Sequence, residues 1–182
     1  MTEFEDEYSA ALEKESNDPL SREFRALEDA LLNDQVKLLA PSEPIAVSPE
    51  TTVQDAIAQM VARRRAGVMV VDDDGRLVGI FTERDVLARV VGPRLDLGTT
   101  RLREVMTPDP EALVPQDRIC YAINRMNVAG YRTLPLVDDR RRPIGVVTVN
   151  DVVRWLADIF PDELLNLRPG DRLKQPDKID AG

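Results

Sequence analysis

Two stretches of this 182-residue chain combine residue types that can handle a phosphorylated ligand: GIFTERDVL at 79–87 and GVVTVNDVV at 145–153. Each is a glycine-led apolar run of strand type that ends in Thr-x-x-Asp where a helix begins. The pairs are Thr82 with Asp85 and Thr148 with Asp151. That spacing has two readings. A threonine at the N-cap with an acid three residues on is a capping box, which satisfies helix amides with no ligand at all. The same helix start at a strand end presents free N–H groups and positive dipole to a phosphate. The hydroxyl can then donate to a phosphate oxygen, and the carboxylate can hold the two hydroxyls of a ribose. Spacing alone favours the cap.

Little else in the chain points to chemistry. There is no histidine, which removes the commonest general base and metal ligand. Cys120 is the only cysteine, so no intramolecular disulfide or multi-cysteine metal site can form, and it reads as a small core residue. Asp72-Asp73-Asp74 is followed by Gly75 and reads as turn chemistry rather than a cation site. Arg63-Arg64-Arg65 falls at a helix C-terminus, where arginines complement the dipole, with a phosphate or partner role as the alternative. Arg140-Arg141-Arg142 reads as a solvated hairpin turn. No nucleophile–base pair or glycine-rich phosphate loop is present, and we expect no catalysis.

The elements that must position these residues come from a repeat. Residues 44–92 match residues 110–158 at a constant offset of 66, without gaps. Pro44/Pro110, Ala56/Ala122, Met60/Met126, Asp72/Asp138, Gly79/Gly145, Thr82/Thr148 and Asp85/Asp151 all coincide. Shared glycines, prolines and turn aspartates mean one supersecondary unit written twice. Each unit reads strand–helix–strand–strand–helix. In the first these are Ile45–Val47, a helix from Val53 to about Arg64 with inner face Val53, Ile57, Met60 and Val61, and strands Val68–Val71 and Leu77–Phe81. Gly67 is expected to end the first helix, and a second helix runs from Thr82 through Val90. The second unit gives helix Ile119–Ala129, strands Thr133–Val137 and Ile144–Val147, and helix Asn150–Ile159. A unit of about 50 residues buries too little to stand alone, so the two should share a core.

The chain divides into an acidic arm at 1–40 with an amphipathic helix at about 21–39, a first repeat at 41–92, a linker at 93–104, a second repeat at 105–160 and a tail at 161–182. Ser21 is the expected cap of the arm helix, and Phe24, Leu27, Leu31 and Leu38 form its stripe, widened by Leu32, Val36 and Leu39. The helix is expected to pack on its own repeats or on a second copy, with a docking role for another protein as the sharper alternative. Formal charge is −9, and residues 1–40 carry eleven acids and four bases. The repeats are therefore nearly neutral, which argues against a nucleic-acid binder. The first residues lack the pattern of a secretory signal, and no apolar stretch is long enough to span a bilayer, so a soluble cytoplasmic protein is expected.

The GIFTERD and GVVTVND signatures, with RTLPLVDD at 132–139 and VMTPDP at 105–110, resemble a tandem pair of cystathionine β-synthase (CBS) domains, also called a Bateman module. The resemblance covers about residues 44–160. The acidic arm, its helix and a tail beginning FPDELLNL are similar to small stand-alone bacterial proteins of this type. The resemblance implies an α/β (α+β) fold of two β-α-β-β-α repeats packed sheet to sheet with pseudo-twofold symmetry, plus the N-terminal helix. It implies two clefts for adenine nucleotides (AMP, ADP or ATP) and pairing of modules into a homodimer. It further implies that Asp85 with Thr82, and Asp151 with Thr148, hold ribose and phosphate. By the same resemblance, Ile45 and Ala46 would complete the Asp151 cleft, Ala112 the Asp85 cleft, and Arg132 with Thr133 would reach the phosphates. The first repeat departs from the pattern: Met69 stands in place of proline, and Ala66 and Gly67 where polar residues are usual, with Arg84 as a compensating charge. We therefore expect both clefts to be candidates and the one using Arg132 to be preferred. The resulting expectation is a non-catalytic regulatory module. The alternatives are a ligand-independent dimerisation or interaction protein using the N-terminal helix, binding of S-adenosylmethionine, and, more weakly, single-stranded nucleic acid.

Overall fold

The computed structural model of the chain describes residues 19–159. The expectations for the arm before residue 19, including its mobility, and for the tail with its DELLNL turn lie outside the described residues, as does the side chain of Phe24. The N-terminal helix, α1, runs Pro19–Asn33 with proline at its start, where a missing N–H costs nothing. It is shorter than its apolar spacing predicts. Gln35 is extended, and Val36–Leu39 forms a separate 3-10 turn. The break is tertiary in origin. Val36 N–H donates to the Asp117 carbonyl at 2.7 Å and Lys37 N–H to that of Pro115 at 3.3 Å, so the second repeat captures the chain before the helix can continue. Val36 and Leu39 are buried there, whereas Leu32 and Leu38 stay exposed.

The first repeat comprises β1 (Ala46–Val47), α2 (Val53–Arg63), β2 (Gly67–Val71), β3 (Leu77–Thr82) and α3 (Glu83–Asp85). A π-helical segment, Val86–Val91, continues α3, so the expected regular helix to Val90 is replaced by a short α turn and wider winding. Two further expectations are corrected here. Val61 is 71% exposed, and the buried face of α2 is Val53, Ala56 and Met60, with Ile57 partly covered. The helix is ended by Arg64 in the left-handed region, φ 52, while Gly67 is already a residue of β2. Thr52 is the cap, accepting from Asp55 N–H at 3.0 Å.

Between the repeats lie α4 (Leu102–Val105) and β4 (Thr107–Pro108). The second repeat then supplies α5 (Ile119–Val128), β5 (Thr133–Val137), β6 (Pro143–Thr148) and α6 (Val149–Ile159). The last hairpin strand is longer than expected by one residue at each end. Glu111 and α5 are joined by an ion pair: Arg125 Nη2 donates to Glu111 Oε2 at 2.6 Å, and Tyr121 donates to Oε1 at 2.8 Å. The Arg125 hydrogen bond holds the Glu111 carboxyl below the usual glutamate range, and the Glu111 carboxylate in turn raises the Tyr121 phenol.

Strand order in the first sheet is β1-β2-β3-β4, with β1 parallel to β2 and the other pairs antiparallel. The second sheet is built on β5-β6, flanked by a parallel bridge from Leu113 to Leu136 and an antiparallel bridge from Ser42 to Val146. The same scheme therefore appears twice, and the edges are exchanged. β4, which leads into the second repeat, closes the first sheet; Ser42, which leads into the first repeat, closes the second.

Two repeat-equivalent glycines make room for this exchange. A Cβ on Gly79 would meet the Met106 sulfur, and one on Gly145 would stand 2.9 Å from Cβ of Pro41. The sheets pack face to face through Met69, Leu77 and Ile80 on one side and Val137 and Val146 on the other. Met69, fully buried, thus fills the interface where its counterpart is Pro135. It also donates its N–H to the Ile45 carbonyl at 2.7 Å, a bond proline cannot make. This accounts for a named strand β1 in the first repeat and only a bridge at Leu113 in the second. Helix α1 lies against α5 and α6, with Leu27, Ala30 and Leu31 on the second repeat's core. The packing of the arm helix on its own repeats is thereby realised. Among the described residues no helix is long and apolar enough to cross a membrane.

Candidate ligand-binding site

Both Thr-x-x-Asp motifs sit where a strand hands over to a helix, and in both the cap is formed. Thr82 donates to Asp85 Oδ2 through its N–H at 2.9 Å and its hydroxyl at 2.7 Å. Thr148 does the same to Asp151 Oδ2, at 2.8 and 2.7 Å. The aspartates are 8% and 7% exposed. One oxygen of each is thus committed to its own helix start. What distinguishes the two sites is the second oxygen.

At Asp85 that oxygen is latched. Arg89 Nε lies 3.5 Å from Oδ1, and Thr107 donates to it at 3.4 Å. The Arg89 guanidinium continues to the carbonyls of Val105 and Met106, at 3.1 and 2.6 Å. The segment entering the second repeat is therefore drawn across the mouth of the first. At Asp151 the second oxygen meets, among the described residues, only Arg154 Nη1 at 3.4 Å, on a side chain that is 64% exposed. An exposed ion pair of this kind contributes at most about 1 kcal/mol, and a ligand hydroxyl can displace it.

The residues named from the sequence fall into two groups. Thr133 and Thr148 face each other in the β5–β6 register, and Val149 N–H donates to the Arg132 carbonyl at 3.3 Å. Arg132, Thr133, Thr148 and Asp151 thus share one end of the second sheet, with the Arg132 side chain exposed. The equivalent end of the first sheet pairs Gly67 with Thr82, and Glu83 N–H donates to Ala66, with Arg84 exposed beside them. The second group lies on the segments that enter the two repeats. The Ile45 side chain is buried in the first repeat's own core, and exposed Ala46 lies beside Met69 on β1. Ala112 packs against the inter-sheet cluster. Among the described residues no hydrogen bond joins Ile45 or Ala46 to Asp151, or Ala112 to Asp85.

Sequence reasoning missed Arg89, Arg154 and the hydroxyl of Thr107. A carboxylate followed by arginine at i+4 or i+3 on a helix was the available signal for the first two. Thr107 lies within the VMTPDP stretch but carries no mark of the residue it would meet. Among the described residues no cluster of acids and cysteine has the geometry to hold a metal ion.

Comparison with known proteins places these motifs in a family. The CBS domain model matches twice, at residues 37–92 and 102–158. Inosine-5′-monophosphate dehydrogenase of Methanocaldococcus jannaschii is 36% identical over 110 residues, 60% of this chain and 21% of the enzyme, so the chain spans about a fifth of that relative. Among solved structures, CBSX2 in complex with AMP is similar with a TM-score of 0.57 and 26% identity, over 67% of this chain and 96% of that one. The CBS domain pair of protein MJ0100, in complex with 5′-methylthioadenosine and S-adenosyl-L-methionine, gives a TM-score of 0.60 and 25% identity over 66% and 98%. Two matched repeats that exchange their entry strands across a shared sheet interface, each ending in a capped Thr-x-x-Asp, make this chain a tandem member of the CBS-domain family.

Proposed function

We propose that this chain is a non-catalytic regulatory module that binds an adenine nucleotide at the Asp151 end of the second sheet. The observation that carries the reading is the difference between the two aspartates. Among the described residues Asp151 Oδ1 is covered only by exposed Arg154, whereas Asp85 Oδ1 is held by Arg89 and Thr107. In this reading Asp151 accepts from the ribose hydroxyls, Thr148 and Thr133 face the phosphate, and exposed Arg132 supplies the cation. As the resemblance implies, the backbone at Ile45 and Ala46 would complete the Asp151 cleft, and Ala112 the Asp85 cleft. The Asp85 mouth is a second, weaker site that opens only if Arg89 leaves. That two relatives are described with AMP, and with 5′-methylthioadenosine and S-adenosyl-L-methionine, supports an adenosyl ligand.

Regulation requires that the ligand bind two arrangements unequally. The exchanged edges supply the element that can move, since a ligand at Thr148 lies on the strand whose partner is Ser42 from the other repeat. A homodimer is part of the same proposal. Leu87 and Val153 occupy the same position of the two repeats, and they stay 68% and 55% exposed. A cytoplasmic setting goes with a nucleotide ligand.

The test is a thermal-shift and calorimetric panel of AMP, ADP, ATP and S-adenosylmethionine on the full chain. A ligand at a hundred times its Kd stabilises the folded state by about 2.7 kcal/mol. Asp151→Asn should remove the shift, and Asp85→Asn should leave it. Unchanged affinity in Asp151→Asn would sink the assignment, and no shift from any of the four ligands would favour a module that only dimerises.

A further inference from the structure

We infer that the depression between the two hairpin turns is a separate anion site that takes a compact polyphosphate group. The turns lie at the opposite end of the strands from Thr82 and Thr148. They leave an open space of about 570 Å³ lined by Asp74, Arg76, Asp139, Arg140, Arg141 and Arg142. Four arginines and two aspartates line it, while the Asp72 and Asp138 carboxylates are turned onto the amides of their own turns and Asp109 onto Arg141.

Two of the four cations, Arg140 and Arg142, are presented rather than paired. The side chains of Arg140 and Arg142 make no hydrogen bond or ion pair among the described residues; only their backbone N–H groups are used, both donating to Asp138 Oδ1, at 2.9 and 2.8 Å. Asp72 fixes the other turn in the same way, accepting from Asp74 and Arg76 N–H at 3.0 and 2.8 Å. The Arg76–Asp74 pair is long, 3.6 Å, and exposed, so it releases Arg76 at little cost.

Arg141 shows that the turn is built. It adopts φ 61 where the first repeat has Gly75 at φ 77, a left-handed conformation that a residue with a Cβ adopts only at a cost. Its side chain is anchored, donating to the Leu77 carbonyl at 3.2 Å, to the Pro110 carbonyl at 3.1 Å and to the Asp109 carboxylate. With Arg141 held, its neighbours Arg140 and Arg142 are carried on a fixed backbone.

Guanidinium forks spread over two turns suit a di- or triphosphate better than a single phosphate. Leu77 N–H also donates to the Arg141 carbonyl at 2.8 Å, tying one repeat to the other's turn. An anion bridging Arg76 to Arg140 and Arg142 therefore spans the repeats.

Calorimetry of the full chain at low salt tests this with inorganic tripolyphosphate, ATP and adenosine. Tripolyphosphate should bind saturably at one site, and R140Q/R142Q should weaken it by about tenfold or more. Adenosine binding should be the same in the parent and in R140Q/R142Q. The single variant R142Q should give a smaller loss with an unchanged Tm. Asp151→Asn and R63Q/R65Q should leave tripolyphosphate affinity within about twofold, since neither touches these turns. In the Asp151→Asn protein, ATP that displaces tripolyphosphate assigns the site to nucleotide tails, and ATP that does not assigns it to the inorganic anion. No saturable binding, equal affinity in R140Q/R142Q, or loss on Asp151→Asn or R63Q/R65Q would each overturn the site. Because this site does not use Asp151, its failure leaves the adenosine reading standing.

Discussion

Arg89 stands 3.5 Å from Oδ1 of Asp85 and reaches on to the carbonyls of Val105 and Met106, stitching the chain that enters the second repeat to the helix start of the first. Hydrogen bonds from a charged donor contribute about 1.5–3 kcal/mol when shielded. Arg89 is 44% exposed, so we expect Arg89→Gln to cost about 1 kcal/mol, read as a lowered midpoint in urea. The same variant should free the Asp85 oxygen and raise the calorimetric stoichiometry for nucleotide from one per chain towards two. A second site that stays closed in Arg89→Gln would mean that Thr107 or the backbone, not the guanidinium, shuts it.

Gly145 and Pro41 make the reciprocal contact on the second sheet. An added Cβ would lie 2.9 Å from the proline ring, which cannot rotate away, and 3.2 Å from Leu136. Gly145→Ala should therefore push the 41–42 segment off β6, at about 1–3 kcal/mol. Amide exchange at Ser42 and Val146, which donate to each other's carbonyls at 3.1 and 2.9 Å, should quicken beyond the global effect. At Gly79 the obstacle is the flexible Met106 side chain, so Gly79→Ala should cost less.

The single tryptophan reports on the N-terminal helix. Trp155 Nε1 donates to Asp34 Oδ2 at 3.1 Å, linking α6 to the residue that follows α1. Asp34→Ala leaves a largely buried indole N–H without its acceptor and should cost about 1–2 kcal/mol. Intrinsic fluorescence should shift in the folded protein at the same time. An unchanged spectrum would show that water replaces Asp34 freely.

Glu111 gives a pH dependence of known sign. Its folded-state pKa is depressed, first by the Arg125 hydrogen bond and then by that of Tyr121. A depressed carboxylate contributes stability that is fully present above its unfolded pKa, about 4.3, and is lost as pH falls through the folded value. The Tm difference between the parent and Glu111→Gln should be constant from neutral pH to about pH 5 and shrink below about pH 4.3. A difference that grows on acidification would contradict the pairing.

Much of this protein is legible in one dimension because its information is local. The 66-residue offset, the turn aspartates and the apolar runs gave two strand–helix–strand–strand–helix units, and the Thr-x-x-Asp spacing gave both helix caps, since a cap is a contact between residues three apart. Tertiary structure alone decided what depends on partners far along the chain. It ended α1 at Asn33 by hydrogen bonds to residues 115–117, left Val61 in solvent, and set Met69 between the sheets. It crossed each entry segment onto the other repeat's sheet, carrying Thr107 to Asp85. The two aspartates are interchangeable in their motifs and differ in their second oxygen, because a carboxylate's surroundings are set by whichever distant segment folds across it.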